Sequence, residues 1–319
     1  MTTTPAPQSG AETGVLARVS DVRCVYGGGE QDFTAVDGVS FELNEGEILG
    51  LAGESGCGKT TLGNALAMIA VPPLYVLSGR LGIDGREIDL ATLNAADVKA
   101  HRPYRGTTVS MLPQGAMNAI SPTLRIRSLV LDVMRAHDKS VAKDEALDLA
   151  RDRLKMLEMP VRVLDSYAHQ LSGGMKQRVI TVISTLLNPR LLIADEPTSA
   201  LDVSSQRMLV EMLLAMVEQR IMSGVVFVTH DLPVLSQISD KLAIMNRGAI
   251  VEMGPTAQLV EDPQHPYTEK LLGSVLDPTA ETRRKGKEWL TGGSGLVRSA
   301  TETAASGSSA SDTPKGAKP

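Results

Sequence analysis

Gly53-Glu54-Ser55-Gly56-Cys57-Gly58-Lys59-Thr60 is the stretch from which the rest of the chain can be read. It fits G-x-x-x-x-G-K-[ST], the pattern of a loop that cradles phosphate groups. The residue types follow from the task. A triphosphate needs many donors at short range, and side chains would crowd it. Gly53, Gly56 and Gly58 let the backbone curl so that successive N–H groups face inward. A helix expected to start near Lys59 aims its positive end at the same point. Lys59 supplies an ammonium for the β- and γ-phosphates, and Thr60 a hydroxyl for Mg²⁺. Ser55, Cys57 and Thr61 complete the candidate phosphate-contacting set. Cys57 holds a variable position of the pattern and reads as a spacer close to the nucleotide rather than as a reactive thiol. A glycine-rich turn that fits by chance is the rival reading. The apolar strand expected at Glu47–Ala52 and the helix that follows weigh against it.

A second motif lies downstream. Leu191-Leu192-Ile193-Ala194-Asp195-Glu196 is an apolar run ending in two acids. Asp195, at the end of the expected strand, suits the shell of a Mg²⁺ ion. Glu196 follows it and suits the water that attacks the γ-phosphate, a general-base role that contributes ~10²–10⁴-fold. Paired acids at a strand exit are common, so this motif draws its weight from the phosphate loop on the same chain.

Further out, alternation of apolar and polar residues marks a strand from Val15 (LARVSDVRCVY) and another at Val39–Leu43. From about Asp89 to Ser166 the pattern turns helical, most clearly in AKDEALDLARDRLKMLE at 142–158. Strand-like runs return at Leu191–Ala194 and Val225–Val228, with a helix expected over Ser204–Met222. Strand and helix alternating on both sides of a helical stretch indicate an α/β core that carries a helical insert. Residues 1–12 and 278–319 are rich in Thr, Ser, Gly, Ala and Pro and are expected to be disordered.

Bulk properties bound the function. A net charge of −5 argues against a nucleic-acid partner. Cys24 and Cys57 are the only cysteines, too few and too far apart for a disulfide framework or a cysteine metal site. The start of the chain lacks the basic-then-apolar profile of a secretory signal. No run approaches the ~18 consecutive apolar residues of a membrane span. Work at a membrane would need a span from other chains.

Leu171-Ser172-Gly173-Gly174-Met175-Lys176-Gln177-Arg178 narrows the choice. It resembles the LSGGQ signature of ABC ATPases, with Met175 where Gln is usual. Ser172 precedes Asp195 by 23 positions, an interval similar to that family's. The change at Met175 removes no phosphate donor. The resemblance implies an α/β fold: a P-loop NTPase core of the RecA-like kind, an ABC β-subdomain and an inserted α-helical subdomain. It assigns residues 13–277 to the ATPase domain, with the insert at about 89–167. It also implies that Ser172, Gly173 and Gly174 face the ATP held by a partner subunit, so that two nucleotides lie sandwiched head to tail between two chains. Gln114, in VSMLPQ, resembles the glutamine that senses Mg²⁺ and the attacking water. Asp202, in SALD, resembles the loop that crosses the dimer interface. His230, in VTHD, resembles the histidine that contacts the γ-phosphate. Tyr26 looks like the aromatic that stacks on adenine, with a core tyrosine as its rival reading.

The C-terminal run Asp262-Pro263-Gln264-His265-Pro266-Tyr267-Thr268 is similar to one in ATPases of oligopeptide/dipeptide importers. It belongs to a segment of about 254–277 typical of that branch. GESGCGKTT and the Gln114–Pro122 loop, which would face the permease, resemble the same branch. Members often carry a cysteine cluster for an iron–sulfur centre after this run; without further cysteines here, none is expected. The implied protein works at the cytoplasmic face of the membrane. Its implied partners are a second, non-identical ATPase subunit, two permease subunits and an extracytoplasmic solute-binding protein. Oligosaccharides or nickel are alternative solutes. A non-transport ABC role is the reading from another class, but Lys59 and Asp195 lie only 136 positions apart, with no room for the long coiled coils of the DNA-repair types.

Overall fold

The computed structural model describes residues 14–27, 32–94, 100–115, 120–199 and 201–276. The two segments expected to be disordered lie outside the described residues. Two long antiparallel strands come first, β1 (Val15–Tyr26) and β2 (Phe33–Asn44). Burial alternates along both, the pattern of a sheet with one covered face. β3 (Ile48–Ala52) is buried at every residue, as only an interior strand covered on both faces can be. The phosphate loop leaves its carboxyl end and enters α1 (Lys59–Leu66). β4 (Leu74–Ile83) and β5 (Arg86–Asp89) then join the first sheet, whose order is β2-β1-β4-β5.

The stretch read as helical from Asp89 to Ser166 is mixed. Its long helices are α2 (Ile126–His137) and α3 (Lys143–Met156). Val109–Leu112 is instead a strand, β6. Four residues carry too little periodicity to announce a strand; their state is decided by parallel pairing with a strand 82 positions away in sequence. After α4 (Gly173–Thr185) come β7 (Leu191–Asp195), α5 (Val203–Glu218), β8 (Gly224–Val228), α6 (Leu232–Ile238), β9 (Lys241–Asn246), β10 (Ala249–Pro255), α7 (Thr256–Glu261) and α8 (Pro266–Leu276). The second sheet runs β10-β9-β3-β8-β7-β6. It is parallel from β9 to β6, and β10 is antiparallel to β9. Arg247 and Gly248 turn that hairpin with φ of 46° and 87°, the left-handed pair that two-residue hairpin loops favour.

One apolar cluster joins the sheets through α1. Val19, Val22 and Leu43 of the first sheet, Leu62 and Leu66 of α1, and Leu51, Ile193 and Val226 of the second sheet all belong to it. Each fully buried side chain of this size contributes about 1.5–3 kcal/mol. α5 and α6 lie against the parallel sheet, where Leu213 and Ile238 share an apolar lining with Ile48, Val225 and Phe227. Among the described residues no helix is long and apolar enough to cross a membrane. For the site, the decisive feature is that β3, β8, β7 and β6 are neighbours and parallel. Their carboxyl ends therefore open on one edge, where α/β sheets bind ligands.

Candidate nucleotide site

The curl of the phosphate loop is enforced from beneath. Gly53 has φ +148°, and a Cβ there would stand 2.2 Å from the carbonyl oxygen of Met245 in β9. At Gly58, φ +107°, a Cβ would stand 2.1 Å from the Ala35 carbonyl of β2. The turn between β9 and β10 completes the support: Gly248 N donates to Cys57 O at 2.9 Å. Gly56 differs, since a Cβ at its φ of +81° would meet nothing within 4 Å. The loop is thus pressed against protein on one side and open on the other, where Ser55 and Gly56 are exposed. Cys57 is buried, and its Sγ lies 3.7 Å from Lys59 Nζ. Lys59 is 7% exposed and donates to Gly53 O at 2.8 Å and Glu54 O at 2.9 Å. Its cation is thereby held within the loop.

The acids lie beside it. Thr60 Oγ1 donates to Asp195 Oδ1 at 3.1 Å. Asp195 Oδ2 is buried and accepts no hydrogen bond among the described residues. Burial raises the Asp195 carboxyl above its ordinary range; the Thr60 hydrogen bond lowers it, neighbouring Glu196 raises it, and the Lys59 charge lowers it. A hydroxyl and a buried carboxylate with one orphaned oxygen suit a hard divalent cation.

Glu196 takes a left-handed backbone, φ +47°, braced by donation from its amide to Val228 O at 2.8 Å. Its carboxylate accepts from Thr229 Oγ1 (3.2 Å), the His230 amide (3.1 Å) and His230 Nδ1 (2.7 Å). A carboxylate only accepts, so Nδ1 carries the proton and Nε2 is left as the second ring position. The His230 side chain is 71% exposed and that of Glu196 10%. Gln114 is exposed, two residues past Leu112, which pairs with Ala194; it stands at the same strand edge as the acids. Thr229 was missed in sequence, where nothing in Val-Thr-His-Asp distinguishes its hydroxyl from a strand-end threonine.

The other expected residues divide. Tyr26 packs partly against the core, and its hydroxyl lies 3.1 Å from Thr61 Oγ1, one contact from the cradle. Ser172 caps α4, accepting from Met175 N at 3.3 Å, and Ser172 and Gly173 are exposed. Asp202 caps α5, accepting from Ser205 N at 2.9 Å, and bonds with the Ser204 and Ser205 hydroxyls hold its carboxyl down to about 2. Gly174 packs on Ser205, where an added Cβ would be 3.2 Å from the hydroxyl. Among the described residues, no hydrogen bond joins Ser172–Gly174 to the phosphate loop. The structure therefore gathers Lys59, Thr60, Asp195, Glu196, His230 and Gln114 at one edge, and holds the signature turn and Asp202 together as a second, exposed group.

A phosphate loop, an adjoining acid pair and a parallel sheet define a P-loop nucleotide-hydrolysing protein. Residues 36–199 match the family model described as ABC transporter, and residues 251–300 match that of the oligopeptide/dipeptide transporter C-terminal region. The chain is 36% identical over 268 residues to the dipeptide transport ATP-binding protein DppD of Caldanaerobacter subterraneus, covering 84% of this chain and 80% of that one. It is 37% identical over 269 residues to the oligopeptide transport ATP-binding protein OppD of Bacillus subtilis, covering 83% and 71%. The fold matches that of the ATP-binding cassette MJ0796, a dimer bound to ADP and Pi, with a TM-score of 0.65 at 25% identity over 76% of this chain and 99% of that one. The chain belongs to the ABC transporter family and is an ATP-binding, ATP-hydrolysing cassette of it.

Proposed function

We propose that this protein is the ATPase subunit of an importer of oligopeptides or dipeptides, acting at the cytoplasmic face of the membrane on separate permease subunits. The similarity to peptide-transport ATPases and the match of the C-terminal region support the solute class. The observation that carries the mechanism is the convergence of Lys59, Thr60, Asp195, Glu196 and His230 on one sheet edge. In this reading the loop amides and Lys59 bind the ATP phosphates. Thr60 and Asp195, with Gln114, hold Mg²⁺, which when bound offsets phosphate charge. Glu196 accepts a proton from the attacking water while the bond from the γ-phosphorus to the bridging oxygen breaks, giving ADP and phosphate. His230 orients that carboxylate through Nδ1.

The Ser172–Gly174 turn, exposed at Ser172 and Gly173, serves the nucleotide of a second ATPase subunit, a non-identical homologue. Neither chain alone completes its site. ATP-driven closure moves the helical part that follows β6 and carries α2 and α3, and the Gln114–Pro122 region passes that motion to the two permeases. A solute-binding protein delivers cargo on the far side. Glu196→Gln is expected to bind MgATP and persist as a closed dimer with turnover reduced ~10²-fold or more. An unchanged ATPase rate would remove Glu196 from the role of base.

A further inference from the structure

The amide of Glu54 lies inside the phosphate loop but is satisfied from outside it. It donates to the phenol oxygen of Tyr267, in the first turn of α8, at 3.1 Å, across 213 positions of sequence. The peptide group involved is Gly53–Glu54. Its other end is the Gly53 carbonyl that accepts Lys59 Nζ at 2.8 Å. One peptide is thus gripped at both ends, by a C-terminal phenol at N–H and by the loop's own ammonium at oxygen. Hydrogen bonds in series polarise one another. The phenol therefore strengthens the acceptor that holds Lys59.

Tyr267 is itself held in place. Glu252 of β10 accepts from the amides of Gln264 (2.8 Å) and His265 (3.0 Å). His265 Nδ1 in turn accepts the Tyr267 amide at 3.1 Å, which puts the ring proton on Nε2. Burial works against the Glu252 charge, but hydrogen bonds that include those two amides hold its carboxyl below the ordinary range, so the clamp is charged at neutral pH. Burial pushes the Tyr267 phenol up, so it meets the Glu54 amide as a neutral oxygen.

We propose that Tyr267 is a positioning residue for nucleotide binding: through the Glu54 amide it holds the Gly53–Glu54 peptide in the orientation that keeps the phosphate loop curled before ATP arrives. This rests on the reading of residues 53–60 as the nucleotide cradle. A loop ordered in advance loses less freedom when the ligand binds. Removing the hydroxyl therefore costs affinity while the ring continues to pack.

The test uses the full-length chain. Mant-ATP with Mg²⁺ is titrated against the native protein, Tyr267→Phe, Tyr267→Leu, Glu252→Gln and Lys59→Ala, and the Glu54 amide is followed by ¹⁵N NMR. Tyr267→Phe is expected to weaken binding about fivefold, the worth of one neutral hydrogen bond. Its Glu54 amide should shift and exchange faster, with an unchanged melting temperature. Tyr267→Leu should lose at least as much. Glu252→Gln keeps the phenol but loosens its support, and should weaken binding less, in the same direction. If Lys59→Ala abolishes binding while Tyr267→Phe binds within twofold of native, or leaves the Glu54 amide unmoved, the positioning role is wrong. If Tyr267→Phe fails to fold, unaltered binding by Glu252→Gln overturns it. Native-like binding by Lys59→Ala would instead sink the cradle reading and this inference with it.

Discussion

Gly56 and Gly58 sit two residues apart in one loop, both with positive φ, yet alanine should fail at each for a different reason. At Gly58 the new Cβ would lie 2.1 Å from the Ala35 oxygen and 2.9 Å from Met245 Cε. A carbon normally stands about 3.3 Å from a carbonyl oxygen, so loop or strand must give by about 1 Å. Left-handed backbone adds ~1–2 kcal/mol and overpacking ~1–3 kcal/mol. At ~2–4 °C per kcal/mol, Gly58→Ala should lower the melting temperature by roughly 4–20 °C. At Gly56 the φ of +81° carries the backbone cost alone, since a Cβ meets nothing within 4 Å. Its melting temperature should fall by only about 2–8 °C. The open space over Gly56 is the space assigned to phosphate, so the methyl should weaken MgATP binding by about 10–100-fold, an overpacking cost realised only in the complex. Thermal melting without nucleotide and equilibrium MgATP titration separate the two terms. Gly56→Ala binding MgATP within twofold of native would show that phosphate does not occupy that space.

Three further outcomes follow from the site. Asp195→Asn should abolish turnover yet raise the melting temperature of the nucleotide- and metal-free chain, because burial disfavours the charge of Asp195. A carboxyl raised in the fold burdens it only where it is ionised, so the gain should be largest near pH 7 and vanish toward pH 4; a destabilised variant at pH 7 refutes this. Thr229→Val frees Glu196 Oε2 and the Asp231 amide, which the hydroxyl serves at 3.2 and 3.1 Å. Steady-state kinetics should show kcat down about 3–10-fold, the worth of one hydrogen bond, with KM for ATP within about twofold. Asp202→Ala should destabilise α5 through loss of its cap. The Asp202 carboxyl is depressed from 3.8 to about 2, so the melting difference from native should be flat above pH 4 and close only as pH falls toward 2. A difference that closes at pH 5 would contradict the hydrogen bonding described for that cap.

The legible parts of the chain share a property: their meaning lies in neighbouring residues. Gly53–Thr60, Leu191–Glu196 and Leu171–Gly174 each place their functional atoms through a few consecutive backbone angles, and the apolar runs before the first two mark interior strands. The alternation from Val15 likewise announced a one-faced strand. The short strands β5 (REID) and β6 (VSML) carry too few residues for any period, and β6 lay in a stretch that read as helical.

Tertiary structure alone decided what those motifs touch. Glu196 meets His230 because β7 and β8 are neighbours and end together. Gly58 must be glycine because Ala35 of the other sheet lies beneath it. Tyr267 reaches Glu54 because α8 begins beside the phosphate loop. Covalent geometry sets the spacing within a motif, whatever the rest of the chain does. Contacts across 23, 34 or 213 positions depend on which strand lies beside which, and the core packing of the whole domain determines that order.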